Sequence, residues 1–397
     1  PLYMKYQDPF IFESLERVIS IERERDFAIL EFTDTIFYPG GGGQPRDYGT
    51  IIINGIEYEV KDAYKNKTSV LHKIEVPYNI ELIPGMAVEL KIDKKRREQL
   101  TRMHTGEHLF MGSLLKIIPE LQVEKIHLEE DESSLFIIPP KQREITWEDI
   151  FKAEKIANKI IQQDRKVSIH MVNRDDVKRR FPKARIKLDR IQSDTIRVIE
   201  IEDHDYSACA GVHCAKTSFI GNLIVIKFSK VQDKYEVKFK VNSAKDLFEL
   251  SRYTRETASE LKINPSELKE FTANLMKKNN EMKAKIRDLQ SGKQLNIKEE
   301  KANDVTIRYS FVENFDKKQI TDKLNENFDE KKEKQLMLIF NKTDKGTQFS
   351  MKTSKEIEDA GKILKDTGMK GGGREQFAQG ISEDPEKTIN NLKSYFS

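Results

Sequence analysis

The stretch HTGEH sets His104 and His108 four residues apart. On a helix these positions are neighbours on one face, a spacing that lets two imidazoles hold one metal ion. Further along the chain, CAGVHCA repeats the spacing with Cys209 and His213 and contains both cysteines of the sequence. Two such pairs make a donor set of three imidazoles and one thiolate, the kind Zn2+ prefers, so one zinc ion per chain is expected. The same four donors would also build a closed, inert zinc site that ties a helix to a later strand. Cys214 is left over as a packing residue or a neighbour of the site. Glu107 completes H-x-x-E-H, the signature of inverted zinc peptidases, in which the glutamate activates water. That chemistry requires a further carboxylate ligand, and no glutamate stands between Glu154 and Glu200. Cys209 and His213 are the better third and fourth donors.

These residues need elements to carry them. A chain of 397 residues is too long for one core, so two to four domains are expected. Hydrophobic residues make up 37% and charged residues 34%, enough apolar side chains for several small cores. A net charge of +3 excludes a bulk polycation, so contacts to nucleic acid must come from local basic strips. Two cysteines cannot form a disulfide framework. No apolar run approaches a membrane span and the N-terminus does not resemble a signal peptide, so a soluble, cytoplasmic protein is expected.

The fold class expected is α+β, in four stretches. In residues 1–90, Ile56, Tyr58 and Val60 alternate with charged residues after an Asn54-Gly55 turn, which predicts a small, barrel-like antiparallel β domain. Residues 91–243 open with the helix of the two histidines and close on a hairpin in which Tyr235, Val237, Phe239 and Val241 alternate with Glu236, Lys238 and Lys240; an α+β domain fits them. In 244–302, Leu268, Leu275, Met282 and Leu289 recur every seven residues with Asn279 and Ile286 at companion positions. This predicts two helices, 244–261 and 266–289, forming an arm or coiled coil; a helix packed on its own domain is the plainer account. Residues 303–397 offer strands at 305–311 and 335–341, a helix near 355–364 and a glycine-rich end, a small α/β domain.

H-x3-H followed by C-x3-H, with FYPGGGGQPRDYG at 37–49 ahead of it, resembles the editing domain of alanyl-tRNA synthetase and its free-standing relatives, the AlaX proteins. IRVIEIEDHDYSACAGVHCAKTSFIG at 196–221 is similar to that family's strand, Asp, Cys-His and Thr-x-x-Ile-Gly pattern. KGGGREQFAQG at 370–380 resembles the glycine-rich motif of the synthetase's C-terminal domain, which DHH-type phosphoesterases share. The resemblance spans nearly the whole chain, lacks an aminoacylation domain, and is closest in kind to the long form of AlaX. Two departures stand out. The family has two glycines and a threonine between the cysteine and the last histidine, where this sequence has Ala210, Gly211 and Val212. Glu107 precedes the second histidine where the synthetases carry a smaller residue.

The resemblance implies a zinc-dependent hydrolase that releases a wrong amino acid, Ser or Gly, from mischarged tRNA(Ala) and serves translation fidelity without ATP. Zinc on His104, His108, Cys209 and His213 would activate water or fix the substrate, which needs an open coordination position. Gly41, Gly42 and Gly43 would let backbone amides approach the substrate closely, although the loop also reads as a tight hairpin connection. Gln44 would hydrogen-bond the substrate. Thr105 is a candidate neighbour of the ligands or a helix cap, and Asp205 a candidate to orient an imidazole or a strand-end turn; with Gln44 and Glu107 they make up the expected catalytic set. KKRREQLTR at 94–102 (Lys94, Lys95, Arg96, Arg97) and KRRFPKARIK at 178–187 (Arg179, Arg180, Lys183, Arg185) are the expected contacts for RNA phosphates, joined by Lys370 and Arg374. Charged strips also occur as plain solvated faces. The C-terminal region is expected to hold a homodimer. The alternatives are a non-catalytic tRNA-binding module with structural zinc and the H-x-x-E-H peptidase.

Overall fold

Asn54 and Gly55 adopt positive φ, 51° and 79°, and close a two-residue hairpin on the Ile53–Ile56 pair. Such turns match the twist of the strands they join. The structure, a computed structural model, describes residues 4–67, 69–141, 143–186, 191, 193–292 and 294–397. Around that hairpin β1 (Glu13–Glu24), β2 (Phe27–Phe32), β3 (Gly49–Ile53), β4 (Ile56–Asn66), β5 (Ser69–Glu75) and β6 (Ala87–Ile92) form a closed barrel in the order β1-β2-β5-β4-β3-β6. Closure follows from the length of β1, whose first half pairs with β6 and second half with β2. Alternate residues fill the interior, among them Leu30, Ile51, Ile74 and Leu90, all fully buried. The alternation expected at Ile56, Tyr58 and Val60 sinks inward with distance from the turn: Ile56 at the tip is 53% exposed, whereas Val60 is buried.

Helix α1 (Lys94–Ile117) follows the barrel directly. Asp93 caps it by accepting from the Arg96 amide at 3.0 Å. From Met103 to Leu114 the helix is buried all round, as a central helix must be. After it come β7 (Gln122–His127), β8 (Ser133–Ile138), α2 (Trp147–Gln162), β9 (Val167–Asn173), α3 (Val177–Arg180), β10 (Thr195–Ile201), β11 (Asp205–Ala208), β12 (Leu223–Val231) and β13 (Lys234–Val241). Thr146 and Asp149 cap α2 reciprocally. The strands make a four-stranded sheet, β12-β13-β8-β7, and a three-stranded one, β11-β10-β9. Tyr235, Val237, Phe239 and Val241 all face the core between the first sheet and the helices.

Helices α4 (Ala244–Glu260) and α5 (Leu268–Ser291) come next, joined through a short turn at Pro265–Glu267. The last part holds β14 (Lys298–Ala302), β15 (Val305–Glu313), α6 (Lys317–Asn327), β16 (Gln335–Thr343), β17 (Gly346–Thr353), α7 (Ala360–Asp366), β18 (Lys370–Arg374), β19 (Phe377–Ile381) and α8 (Pro385–Phe396). Its six strands run β14-β15-β16-β17-β19-β18. An α/β domain was expected here. Among the described strands only β15 and β16 pair in parallel, joined through α6; β17 reaches β18 through α7 with β19 between them in the sheet, hairpins make the remaining connections, and the sheet is α+β in character. The chain divides into two compact units, Pro1–Tyr253 and Thr254–Ser397. Boundaries at 90, 243 and 302 are finer than this division, since the barrel and the helix of the two histidines share one unit.

Candidate metal centre

Arg97 holds the first turn of α1 against the barrel. Its guanidinium is fully buried and meets both carboxylate oxygens of Asp47, with Nε at 3.0 and 3.1 Å and Nη2 closing the pair. Asp47 also accepts from the Tyr38 amide at 2.7 Å. Tyr38 in turn donates its hydroxyl to the Gly41 carbonyl at 2.8 Å. Gly41 and Gln44 exchange two backbone hydrogen bonds of 3.0 Å, so the glycine loop is a tight turn. Gly40 to Gly43 all take positive φ, and Gly41, Gly42 and Gly43 are exposed. Gln44 is thereby clamped and buried, with its side chain directed at α1.

Four ligand atoms of His104, His108, Cys209 and His213 lie within 4.8 Å of one another. Cys209 Sγ is 3.3 Å from Nε2 of both His104 and His213. Each imidazole has company at its other nitrogen. His104 donates from Nδ1 to Gln44 Oε1 at 2.8 Å. His213 donates from Nδ1 to Thr105 Oγ1 at 3.3 Å, and the Cys214 amide donates to the same oxygen at 2.9 Å; the Thr105 proton goes to the Thr101 carbonyl. His108 Nδ1 lies 3.7 Å from Asp205 Oδ2. In His104 and His213 the fixed second nitrogen sets the tautomer and leaves Nε2 for a metal, whereas His108 Nδ1 makes no hydrogen bond. Glu107 places its carboxyl 3.7 Å from His108 Nε2.

The local electrostatics suit neutral ligands. Burial, then Arg197 and Arg185, lowers the His104 pKa to about 3, and burial foremost pushes His108 and His213 well below the usual histidine range. Burial raises the Cys209 thiol to about 11 and the Glu107 carboxyl to about 7. Neutral imidazoles are ready donors, and a cation offsets the cost of a buried thiolate. Three nitrogens and one sulfur converging in a buried pocket fit Zn2+.

Of the residues expected to contact RNA, Lys94, Lys95, Arg179, Arg180, Lys183, Lys370 and Arg374 are exposed. Arg96 and Arg97 correct that expectation. Arg97 has no surface, and Arg96 is buried, bonding the Arg46 carbonyl at 3.1 and 3.2 Å and Glu130 at 2.8 Å. Both tie α1 to its surroundings and offer nothing to a phosphate. Arg185 is half-buried and engaged in a two-pronged pair with Asp205 at 3.0 and 2.8 Å. Lys187 lies outside the described residues. Gln44, expected to meet substrate, spends its oxygen on His104 and on the Val212 amide at 3.0 Å; its Nε2 is buried without a protein partner.

Two residues of the site, Arg197 and Gly211, were given no role by the sequence. Arg197 on β10 is buried and donates from Nη1 to the carbonyls of Cys209 and Gly211 at 2.8 and 2.9 Å, which shapes the loop between the last two ligands. A lone arginine in the apolar run IRVIEI was the available signal. Gly211 lies flat against His104, where a Cβ would come within 2.2 Å of Cε1 and 2.8 Å of Gln44 Oε1.

Three family profiles match the chain. Residues 8–96 match "tRNA synthetases class II (A)", residues 196–235 "Threonyl and Alanyl tRNA synthetase second additional domain", and residues 304–396 "DHHA1 domain". The second match covers Cys209 and His213. Among curated proteins, the alanine–tRNA ligase of Pyrococcus abyssi is 34% identical over 58% of this chain and 24% of its own length. That of Caldivirga maquilingensis is 25% identical over 98% of the chain and 43% of its own length, and that of Methanopyrus kandleri 28% over 96% and 42%. The chain thus spans less than half the length of these relatives. A solved structure, the C-Ala domain from Aquifex aeolicus alanyl-tRNA synthetase, is 26% identical over 25% of this chain and 95% of its own, with a TM-score of 0.22.

Proposed function

We propose that this chain, a relative of the alanine–tRNA ligases along nearly its whole length, is a zinc-dependent hydrolase that deacylates tRNA(Ala) mischarged with serine or glycine. The observation that carries the reading is the convergence of His104, His108, Cys209 and His213, with Gln44, Thr105 and Asp205 at or near their other nitrogens. Bound zinc would supply Lewis acidity toward the ester carbonyl or a water molecule. Gln44 and Thr105 keep two ligand rings in one tautomer and one orientation. Arg197 holds the carbonyls of Cys209 and Gly211 and so fixes the loop between the last two donors. Glu107 provides the nearby carboxyl that can hold or pass a proton beside the ester. The exposed Gly42 and Gly43 amides can meet the aminoacyl end, and Lys94, Lys95, Arg179, Arg180 and Lys183 the RNA phosphates. Among the described residues no helix is long and apolar enough to cross a membrane.

The test is hydrolysis of Ser-tRNA(Ala), Gly-tRNA(Ala) and Ala-tRNA(Ala) side by side. Serine should leave much faster than alanine, since an added hydroxyl is discriminated where polar groups await it. Equal rates, or peptide cleavage instead, would overturn the reading. One observation favours a second reading: four protein donors packed this closely can saturate a zinc ion, as in structural sites. A non-catalytic tRNA-binding module would then bind all three RNAs and turn over none. The H-x-x-E-H peptidase has less support, because the donors gathered beside the two helix histidines are Cys209 and His213, with no carboxylate in the set.

A further inference from the structure

Behind His108 lies a second concavity. A groove of about 920 Å³ opens between the end of α1, residues 180–185 and the β10–β11 hairpin. Its floor includes Arg185 and Asp205, the pair that backs His108. Its wall carries Phe181 and Tyr206, half-buried rings with centroids 5.5 Å apart, tilted by 40°. Lys116, Arg180 and Lys183 also line it. Among the described residues, none of these three has a carboxylate within ion-pair distance, and the Arg180 guanidinium leans over the Phe181 ring at 5.7 Å. Two of the acids on the lining are already engaged, Glu200 with His170 at 2.6 Å and Asp205 with Arg185; Asp203 is the third.

Phe181 is itself backed by the His170 ring at 5.1 Å, which leaves the half-buried Tyr206 as the ring offered to a base. Cations free of carboxylates beside such a ring are the two ingredients of single-strand recognition, since phosphates follow the charge and any base can stack on an aromatic ring. A duplex presents its phosphates and groove edges and keeps its base faces stacked, so it cannot use Phe181 and Tyr206. We propose that this groove binds a short single-stranded stretch of RNA, with a base on Tyr206, which Phe181 supports, and phosphates on Arg180, Lys183 and Lys116. The inference rests on the tRNA reading above and adds to it a place for the unpaired end of the substrate, beside the residue that backs His108.

The test uses the full chain and unacylated RNA stems, one with a short single-stranded 3′ tail and one blunt. The tailed stem should bind more tightly. Tyr206→Ala should weaken the tailed stem about tenfold, the scale of one lost base stack, leave the blunt stem unchanged, and be rescued by Tyr206→Phe. Arg180→Glu with Lys183→Glu, both exposed positions, provides a second variant if Tyr206→Ala fails to fold. It should weaken the tailed stem more than the blunt one and flatten the fall of its affinity with salt. The proposal is overturned if the tail adds no affinity to the wild-type protein, or if these variants weaken both stems alike. Because neither RNA carries an amino acid, the outcome is independent of hydrolysis. A chain that needs Tyr206 for tails but releases no serine keeps the groove and loses the deacylase reading; one that edits while its variants bind tails normally does the reverse.

Discussion

Gln44 Oε1 stands 2.8 Å from Nδ1 of His104, joining the glycine loop of the barrel to the helix that carries the first two ligands. The same oxygen takes the Val212 amide at 3.0 Å, so one amide side chain connects three segments far apart in sequence.

Gln44→Ala should therefore weaken zinc binding about 10- to 100-fold, the usual effect of removing an outer partner of a ligating histidine. Gln44→Glu, which keeps an acceptor in place, should lose less. Competition against a chromophoric chelator measures both. Unchanged affinity in Gln44→Ala would mean that the ring of His104 is oriented by something else.

Gly211 gives a sharper contrast within one loop. A methyl group there would overlap the His104 ring, with Cβ 2.5 Å from Nδ1. Ala210 beside it is exposed. Gly211→Ala should abolish stoichiometric zinc, whereas Ala210→Gly should leave the metal content of the purified protein as it is. Elemental analysis decides between them, and full zinc in Gly211→Ala would show that the loop can move without losing the site.

His104 and His108 were legible because a helix converts a spacing of four into adjacency, and Cys209 with His213 because both cysteines of the chain stand within one short stretch beside a histidine. That second pair lies in a non-helical segment past β11, where a spacing of four by itself implies no adjacency. The barrel was legible through its alternation and its Asn-Gly turn. The basic strip before the histidines was only half legible. Lys94, Lys95, Arg96 and Arg97 read alike as letters, but helix phase sends the lysines to solvent and the arginines toward Arg46 and Asp47, some fifty residues away in sequence. Local periodicity carries no information about such a partner. Arg197 was missed for the same reason: its acceptors are carbonyls, which have no letter in the sequence.

His72 makes the barrel sensitive to acid. It is fully buried, between the Leu30 carbonyl at 3.3 Å and Thr35 Oγ1 at 2.9 Å, with the Phe32 and Phe37 rings against it. Burial lowers its pKa to about 4. The folded state thus disfavours the charged form, so this group's contribution to stability is complete above the unfolded pKa of about 6.5 and is lost as pH falls toward 4. The loss is about 1.4 kcal/mol per pH unit and about 3 kcal/mol in all. Against a His72→Asn reference, the stability advantage of the wild type should be constant above pH 7 and shrink on this slope below it. Hydrogen exchange of barrel amides gives the measurement, and a gap that does not narrow would mean that His72 titrates normally.

The arm leads to the last prediction. Leu275, Met276, Met282, Ile286 and Leu289 on α5 are all more than half exposed, and Leu289 reaches 74%. Monomeric proteins rarely leave so large a contiguous apolar stripe in water. The heptad spacing of Leu268, Leu275, Met282 and Leu289 suits a partner helix packed along it, with Asn279 at a seam position where a polar residue fixes register at a cost in stability. We therefore expect a homodimer held through residues after about 245, in which the second copy covers this stripe. Leu275→Glu with Met282→Glu should make the full-length protein monomeric at micromolar concentration, because each buried charge would face an apolar seam. Zinc content should stay at that of the wild type, since the four donors lie in Pro1–Tyr253 and the stripe in the other unit. Affinity for tRNA should fall and depend less steeply on salt, as a monomer brings fewer cations to the phosphates. Light scattering decides the matter: a wild-type monomer, or a dimer that survives both glutamates, would mean that α5 presents its apolar side to something other than a second copy.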